Sequence, residues 1–300
     1  MIHVDHAFKL EGAGMSSLID GGNFTGDALV ALKRMAYAGM VGLVVTMALP
    51  SALAAAPAHP KVFRDKLSDG SMGPEMVVIP AGSFDMGTTG AYHGYHTEKP
   101  VHHVTIDKPF ALGKTEVTQR QWRQVMGGDP LGLKFKGCDD CPVEGVSWND
   151  IQAFLKRLNG KTGRNYHLPS EAQWEYACRA GKTGENYCGG NDSDTLAWTD
   201  SNSGGKTHPV GQKQENAWGL YDMSGNVREW VQDVWHGDYS GAPTDGSAWT
   251  AGGDQGRRMQ RGGSWYDVPW VSRSGFRDQG GTPPDYATDD NGFRLARTLP

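Results

Sequence analysis

Residues 219–230 read GLYDMSGNVREW, and two later segments, RGGSW at 261–265 and NGFRLAR at 291–297, share its mixture of glycine and large rings. Neither the 3.6-residue period of an amphipathic helix nor the strict alternation of a half-buried strand runs through them. Gly219, Gly225, Gly262 and Gly263 stand close to Trp218, Tyr221, Trp230 and Trp265. Glycine accepts the left-handed backbone and close chain approach that tight turns need, while each ring brings a large area to bury. The pattern predicts an α+β domain of irregular loops pinned by aromatic anchors.

The bulk composition agrees. The chain has 42 glycines among 300 residues, about twice the ~7% average, which works against long helices. Its net charge of −5, without a basic run, argues against nucleic acid or an anionic membrane surface as partner. No repeat of fixed period appears, so a propeller or solenoid is disfavoured.

Residues 1–54 read differently. Lys33 and Arg34 precede a charge-free run of 15 residues, 35–49, followed by Ser51-Ala52-Leu53-Ala54. That order is a basic region, an apolar region and an A-x-A cleavage site, so the segment is expected to be a signal peptide and the mature protein exported. An apolar run this short falls below the ~20 residues of a membrane span. An uncleaved N-terminal anchor is the alternative, and only then would the protein touch a membrane. Met15 is an alternative start. Residues 55–75 are polar and aperiodic and read as a flexible linker, leaving 76–300 as the domain.

Within the domain, 76–79 and 83–87 flank Pro80-Ala81-Gly82 and read as a hairpin. Further strands are expected at 102–106 and 110–114, and short ones at 225–231 and 292–297. Three helix starts follow one rule: Thr118, Ser147 and Ser170 are N-caps with Gln121, Asp150 and Gln173 three residues on. Val117 with Trp122, and Val146 with Ile151, are placed as hydrophobic staples. The second helix carries Ile151, Phe154, Leu155 and Leu158 on one face and is expected to end at Asn159-Gly160.

The order AGSFDMG, EVTQRQW, PVEGVSWND, LPSEAQWEYACRAG, NAWGLYDMSGNVREW, RGGSW and NGFR resembles the formylglycine-generating enzyme, or sulfatase-modifying factor, family. The resemblance runs from about Met76 to Arg297. It implies that family's loop-rich α+β fold, a variant of the C-type-lectin-like fold. Activity is a separate question, because one fold hosts unrelated chemistries.

The four cysteines fall as Cys138/Cys141 and Cys178/Cys188. CDDC at 138–141 has the spacing of half a zinc site or of a redox dithiol, but the other pair lacks that spacing and Pro142 follows where a redox motif opens a helix. In an exported chain two short-range disulfides, Cys138–Cys141 and Cys178–Cys188, are the expected reading. His93, His96, His102 and His103 suggest a metal site only weakly, since no carboxylate stands at ligand spacing; exposed or structural histidines are expected instead.

Asp222, Gly225, Val227 and Glu229 offer two carboxylates bracketing two carbonyls around a flexible turn, the oxygen donors a hard cation takes. The resemblance implies a structural calcium at these positions. A second calcium site of the family corresponds to 202–211, where the loop holds no carboxylate.

The segment GGSWYDVPWVSRSGFR, 262–277, bears on catalysis. Family enzymes hold copper(I) on two cysteines five residues apart, and soft thiolates suit that ion. Those two positions are Asp267 and Ser272 here, so copper–thiolate chemistry is not supported. Arg228 departs as well, standing where the family has Trp. Ser264 matches the family's active-site serine, and Asp267 is expected beside Arg273 and Arg277 as an acid/base or substrate clamp. Ser264, Asp267, Ser272 and Arg273 are therefore the pocket candidates.

The resemblance includes exported members without the copper cysteines that act in oxidative maturation of a siderophore. The expected function is modification or maturation of a peptide, modified peptide or protein, by a copper-independent route. A non-catalytic binding module on the same fold is the alternative. A genuine formylglycine-generating oxidase is a third, weaker reading. The chain has no room for the extra helical domain that supplies iron ligands in ergothioneine-forming relatives.

Overall fold

In a computed structural model the described residues are 60–89 and 96–300. The expected signal peptide, residues 55–59 and His93 lie outside them. Among the described residues three small sheets and four α-helices are joined by long connections. The largest sheet is antiparallel, in the order β1 (Val62–Phe63), β2 (Met76–Ile79), β5 (Phe110–Gly113), β10 (Ala296–Thr298), β6 (Tyr166–His167). It draws both ends of the domain into one sheet, β1 at the edge beside β2 and β10 beside β5. A two-stranded ribbon joins β3 (Gly82–Met86) to β4 (His102–Ile106). In the third sheet β7 (Arg228–Trp235) lies antiparallel to β8 (Asp254–Arg261) and parallel to β9 (Asn291–Gly292).

The segments 76–79 and 83–87 are strands, but they do not form a hairpin with one another. β2 pairs with β1 and β5, whereas β3 pairs with β4. Local turn chemistry at Pro80-Ala81-Gly82 breaks the strand without closing it, and longer-range partners for the buried Val77 and Ile79 decide the pairing. The expected linker is likewise corrected in its described part, 60–75. Val62 and Phe63 pair with β2, Leu67 is buried, and Asp65 accepts from the Tyr166 hydroxyl at 2.6 Å. A two-residue strand is too short to show periodicity, so the contact was hidden in the sequence.

The helices are α1 (Gln119–Met126), α2 (Trp148–Thr162), α3 (Glu171–Arg179) and the short α4 (Ser193–Leu196). All three expected capping boxes form, each N-cap oxygen accepting from its N3 amide while the N3 side chain accepts from the N-cap amide. Such a box satisfies two orphan donors at once and stabilises by roughly 1 kcal/mol. α2 runs past Asn159-Gly160 to Thr162 and ends at Gly163, whose φ of 65° is left-handed. A glycine inside a helix costs ~1 kcal/mol, which the burial of Leu158 and the bonds from Asn159 to Tyr166 offset.

Two apolar cores result. One packs α1 and α2 around Trp122, Phe154 and Phe293, with Trp122 and Phe154 stacked at 5.2 Å. The other sets α3 against Met223, Val231 and Met259. Among the described residues no helix is long and apolar enough to cross a membrane. Both expected disulfides, Cys138–Cys141 and Cys178–Cys188, are present. The first closes the loop over the start of α1, where the Gln119 amide donates to Cys141 and the Arg120 amide to Asp139.

Candidate functional site

Ser264 follows β8 through the glycine pair Gly262-Gly263, with φ of 95° and 69°. A methyl group at Gly263 would stand 2.4 Å from the Ser272 Oγ and 3.0 Å from its Cα. Only glycine lets these two chain segments meet, and their meeting brings Ser264, Asp267 and Ser272 together. The Ser264 hydroxyl donates to Asp267 Oδ2 at 2.8 Å. Arg228 Nε donates to the same oxygen at 2.9 Å, and its Nη2 to Oδ1. Asp278 and Asp290 each lie 3.6 Å from the same guanidinium. Burial alone would pull the Arg228 guanidinium down, but the bond to Asp267 and the charges of Asp278 and Asp290 push it up.

Arg228 and Asp267, the two departures that the resemblance implies, are bonded to each other. Ser264 and Ser272 are fully buried, and the Ser272 Oγ has no partner among the described residues. Beside them, a void of about 10 Å³ is lined by Arg228, Gln260, Arg261 and Asp278, room for about one water. Copper(I) does not fit: both expected ligand positions present oxygen, and the described residues hold no free cysteine.

The grouping of Asp267 with Arg273 and Arg277 does not form. Arg273 bonds Glu98 at 2.8 Å and Arg277 bonds Glu171 at 2.7 Å. Both carboxylates are buried, and an unpaired buried charge costs more than a surface pair returns, so they claim the arginines. Arg261 completes the network with Glu171 at 2.9 Å and Glu175 at 2.6 Å. Glu171 and Glu175 stand four apart in LPSEAQWEYACRAG, on one helix face. That spacing was the available signal for this network, which sequence reasoning missed. Arg273 instead lines a separate cleft of about 550 Å³, with β3 and residues 179–186 as its other walls.

Of the expected calcium ligands, Glu229 bonds Arg294 and Asp222 lies within the field of the same guanidinium. Asp222 adopts φ 54° and accepts from the Gly211 amide at 2.6 Å, while its Oδ1 is buried without a partner among the described residues. Glu229 accepts from Arg294 on both oxygens, at 2.6 and 2.7 Å, and from Trp174 Nε1 at 2.6 Å. A third carboxylate joins them. Glu116, fully buried, accepts from the Val227 amide at 3.1 Å and the Asn226 side chain at 2.7 Å. Burial, then the charges of Asp222 and Glu229, raise the Glu116 carboxyl well above its ordinary range, and burial raises Asp222 to about 6.

Three carboxylates around one guanidinium leave negative charge unneutralised. Asp222 Oδ1 and the second lone pair of Glu229 Oε1 remain available, so the residues fit a hard cation. Among the described residues no three His, Cys, Asp or Glu side chains are arranged as a metal centre. A cation here would draw on the carbonyls of Gly225 and Val227. Of the described histidines, His103 pairs with Asp85 at 2.9 Å and His102 packs on Tyr239.

The model of the sulfatase-modifying factor enzyme 1-like domain matches residues 63–299. The chain belongs to the sulfatase-modifying factor family. It is 31% identical to the chaperone protein LppX of Paenibacillus barcinonensis, covering 75% of this chain and 89% of that one. It is 30% identical to the inactive C-alpha-formylglycine-generating enzyme 2 of Bos taurus, with coverage of 74% and 87%. Among solved structures it is similar to PvdO from Pseudomonas aeruginosa, with a TM-score of 0.70 and 37% identity over 81% of this chain and 100% of that one. The loop-rich α+β fold expected from 219–230 is therefore the family's own.

Proposed function

We propose that this protein engages a peptide-like partner in an oxidising compartment outside the cytoplasm and supports that partner's maturation without copper–thiolate chemistry. One observation carries the proposal: Asp267, at one of the two positions where the resemblance implies a copper thiolate, is held by Arg228 and Ser264, and the other position, Ser272, presents a hydroxyl. The two disulfides support the compartment, since such bonds persist where thiols are not kept reduced. The similarity to a chaperone protein and to an inactive formylglycine-generating enzyme supports a partner-directed role that does not require cysteine conversion. A calcium ion at Asp222 and Glu229 would be structural, neutralising the carboxylate cluster behind the site.

A catalytic reading has one observation in its favour. The Ser264 hydroxyl points its proton at a carboxylate clamped by an arginine, an arrangement able to hold or move a proton. Because Ser264 is fully buried, a substrate reaches it only if the loop opens, whereas recognition through the exposed Tyr266 and Val268 on the same loop needs no opening.

Two measurements on the purified mature protein test the proposal. Cuprous ion titrated against a chromogenic chelator is expected to show no thiolate-bound equivalent, and a cysteine peptide in oxygenated buffer is expected to remain unconverted by mass spectrometry. Selection from a displayed peptide library is expected to yield binders whose affinity is lost in Asp267→Ala at an unchanged fold. Aldehyde formation, or a library that yields no binder, would overturn the proposal.

A further inference from the structure

A second concavity lies apart from Ser264 and Asp267, neither of which lines it. This cleft of about 550 Å³ is walled by β3, the last turn of α3 with residues 181–186, and residues 273–275. Its size falls in the range of roughly 300–1,000 Å³ typical of small-molecule sites.

The floor is cationic and held rigid from below. Arg179 Nε and Nη2 donate to Glu175 Oε1 at 2.9 and 2.7 Å, and Nη2 also donates to the Gly87 carbonyl at 2.9 Å. Glu175 is itself fixed by Arg261 and by the Gly87 amide. These bonds leave Arg179 Nη1 with no partner among the described residues, on a side chain only 16% exposed. Lys182, on the adjoining loop, is exposed and has no side-chain partner among the described residues. The immobilised Arg179 guanidinium and the exposed Lys182 ammonium therefore line the same space. Such a pair of cations recognises a carboxylate, and the ordering cost of the guanidinium is already met inside the protein.

The remaining walls narrow the class of ligand. Phe84 packs on Tyr176 at 5.3 Å and offers a half-buried apolar surface. Asp85, paired with His103, and Glu185 stand in the same lining. Two acids in the lining repel a polyanion, while Arg179 and Lys182 favour a single negative charge.

We propose that this cleft binds an organic monocarboxylate with an apolar or aromatic body. The terminal carboxylate of a short peptide belongs to that class. The proposal stands whether or not the copper-independent reading of Asp267 is correct.

N-acetyl-phenylalanine and its carboxamide, titrated by calorimetry and by saturation-transfer NMR into the purified protein, form a matched pair of probes. The acid is expected to bind at least tenfold more tightly than the amide. Lys182→Glu, at an exposed position without a side-chain partner among the described residues, is expected to weaken the acid at least fivefold and leave the amide and the melting temperature unchanged. Asp267→Ala is expected to leave both affinities unchanged. Equal binding of acid and amide, binding of neither, or indifference of the acid to Lys182→Glu would overturn the proposal. Loss of acid binding in Asp267→Ala would overturn its separation from the Ser264 site.

Discussion

Glu144 offers the sharpest test of the energetics. It sits in the turn before α2, fully buried, with Oε1 accepting from the amides of Lys134 and Phe135 at 2.8 Å each. Its Oε2 has no partner among the described residues. Burial lifts the carboxyl from 4.5 to about 7, and the two amide bonds only partly oppose that. The folded protein then holds a proton that the unfolded chain has released, so stability falls as pH rises from about 4.5 to about 7 and is level above. At roughly 1.4 kcal/mol per pH unit, the ionised carboxylate costs about 3 kcal/mol at pH 8 relative to pH 4. Glu144→Gln keeps an acceptor for both amides and removes the titration. Urea unfolding of both proteins from pH 4 to pH 8 isolates this group, because every other titration is shared. The stability of Glu144→Gln minus wild type is expected to rise by about 3 kcal/mol across that range, or roughly 6–12 °C in melting temperature for a domain of this size. A flat difference, or one that falls with pH, would refute the claim that Glu144 is held neutral by burial.

Calcium is expected to raise the melting temperature and a chelator to lower it, with about 2.7 kcal/mol gained at a hundredfold excess over Kd; Asp222→Ala should abolish the response in differential scanning calorimetry. Arg294→Met leaves Glu229 buried beside Glu116 and Asp222 without its cation. The expected loss in denaturant unfolding is about 3–5 kcal/mol, part of it recovered by calcium if the ion occupies this site. Gly263→Ala forces a methyl into the Ser272 side chain at a left-handed position. It is expected to destabilise by about 1–3 kcal/mol, and Ser272→Gly in the same chain should restore part of the loss.

Local chemistry was legible wherever a few adjacent residues decide the outcome. The capping boxes at Thr118, Ser147 and Ser170 formed as the spacing required, because a cap depends on four consecutive residues and little else. The disulfides were legible for the same reason, their partners lying 3 and 10 residues apart. Pairing at long range was not. Nothing within 60–79 says that β1 covers β2, nor does the turn at Pro80 reveal that β3 joins β4. β8 was missed because DQGRRMQR lacks apolar alternation: its first half is exposed, and only Met259, Gln260 and Arg261 turn inward.

The same limit applied at the site, where it changed the chemistry inferred. Sequence proximity placed Asp267 with Arg273 and Arg277, six and ten residues on. Its partner is Arg228, 39 residues earlier. Proximity misled because buried charges are assigned by competition across the whole interior. Glu98, Glu171 and Glu175 are the deeper carboxylates, at 0–3% exposure against 9% for Asp267, and leaving one of them unpaired is costlier, so they hold Arg261, Arg273 and Arg277. An extra positive charge at 228 is then what allows a carboxylate at 267. Taken separately, Arg228 and Asp267 each look like decay of a family motif. Bonded together through two contacts, with Ser264 as a third member, they form a self-consistent polar site, in which replacing Asp267 alone by cysteine would cost Arg228 its two direct bonds, leave it only Asp278 and Asp290 at 3.6 Å, and supply one thiolate where two are required.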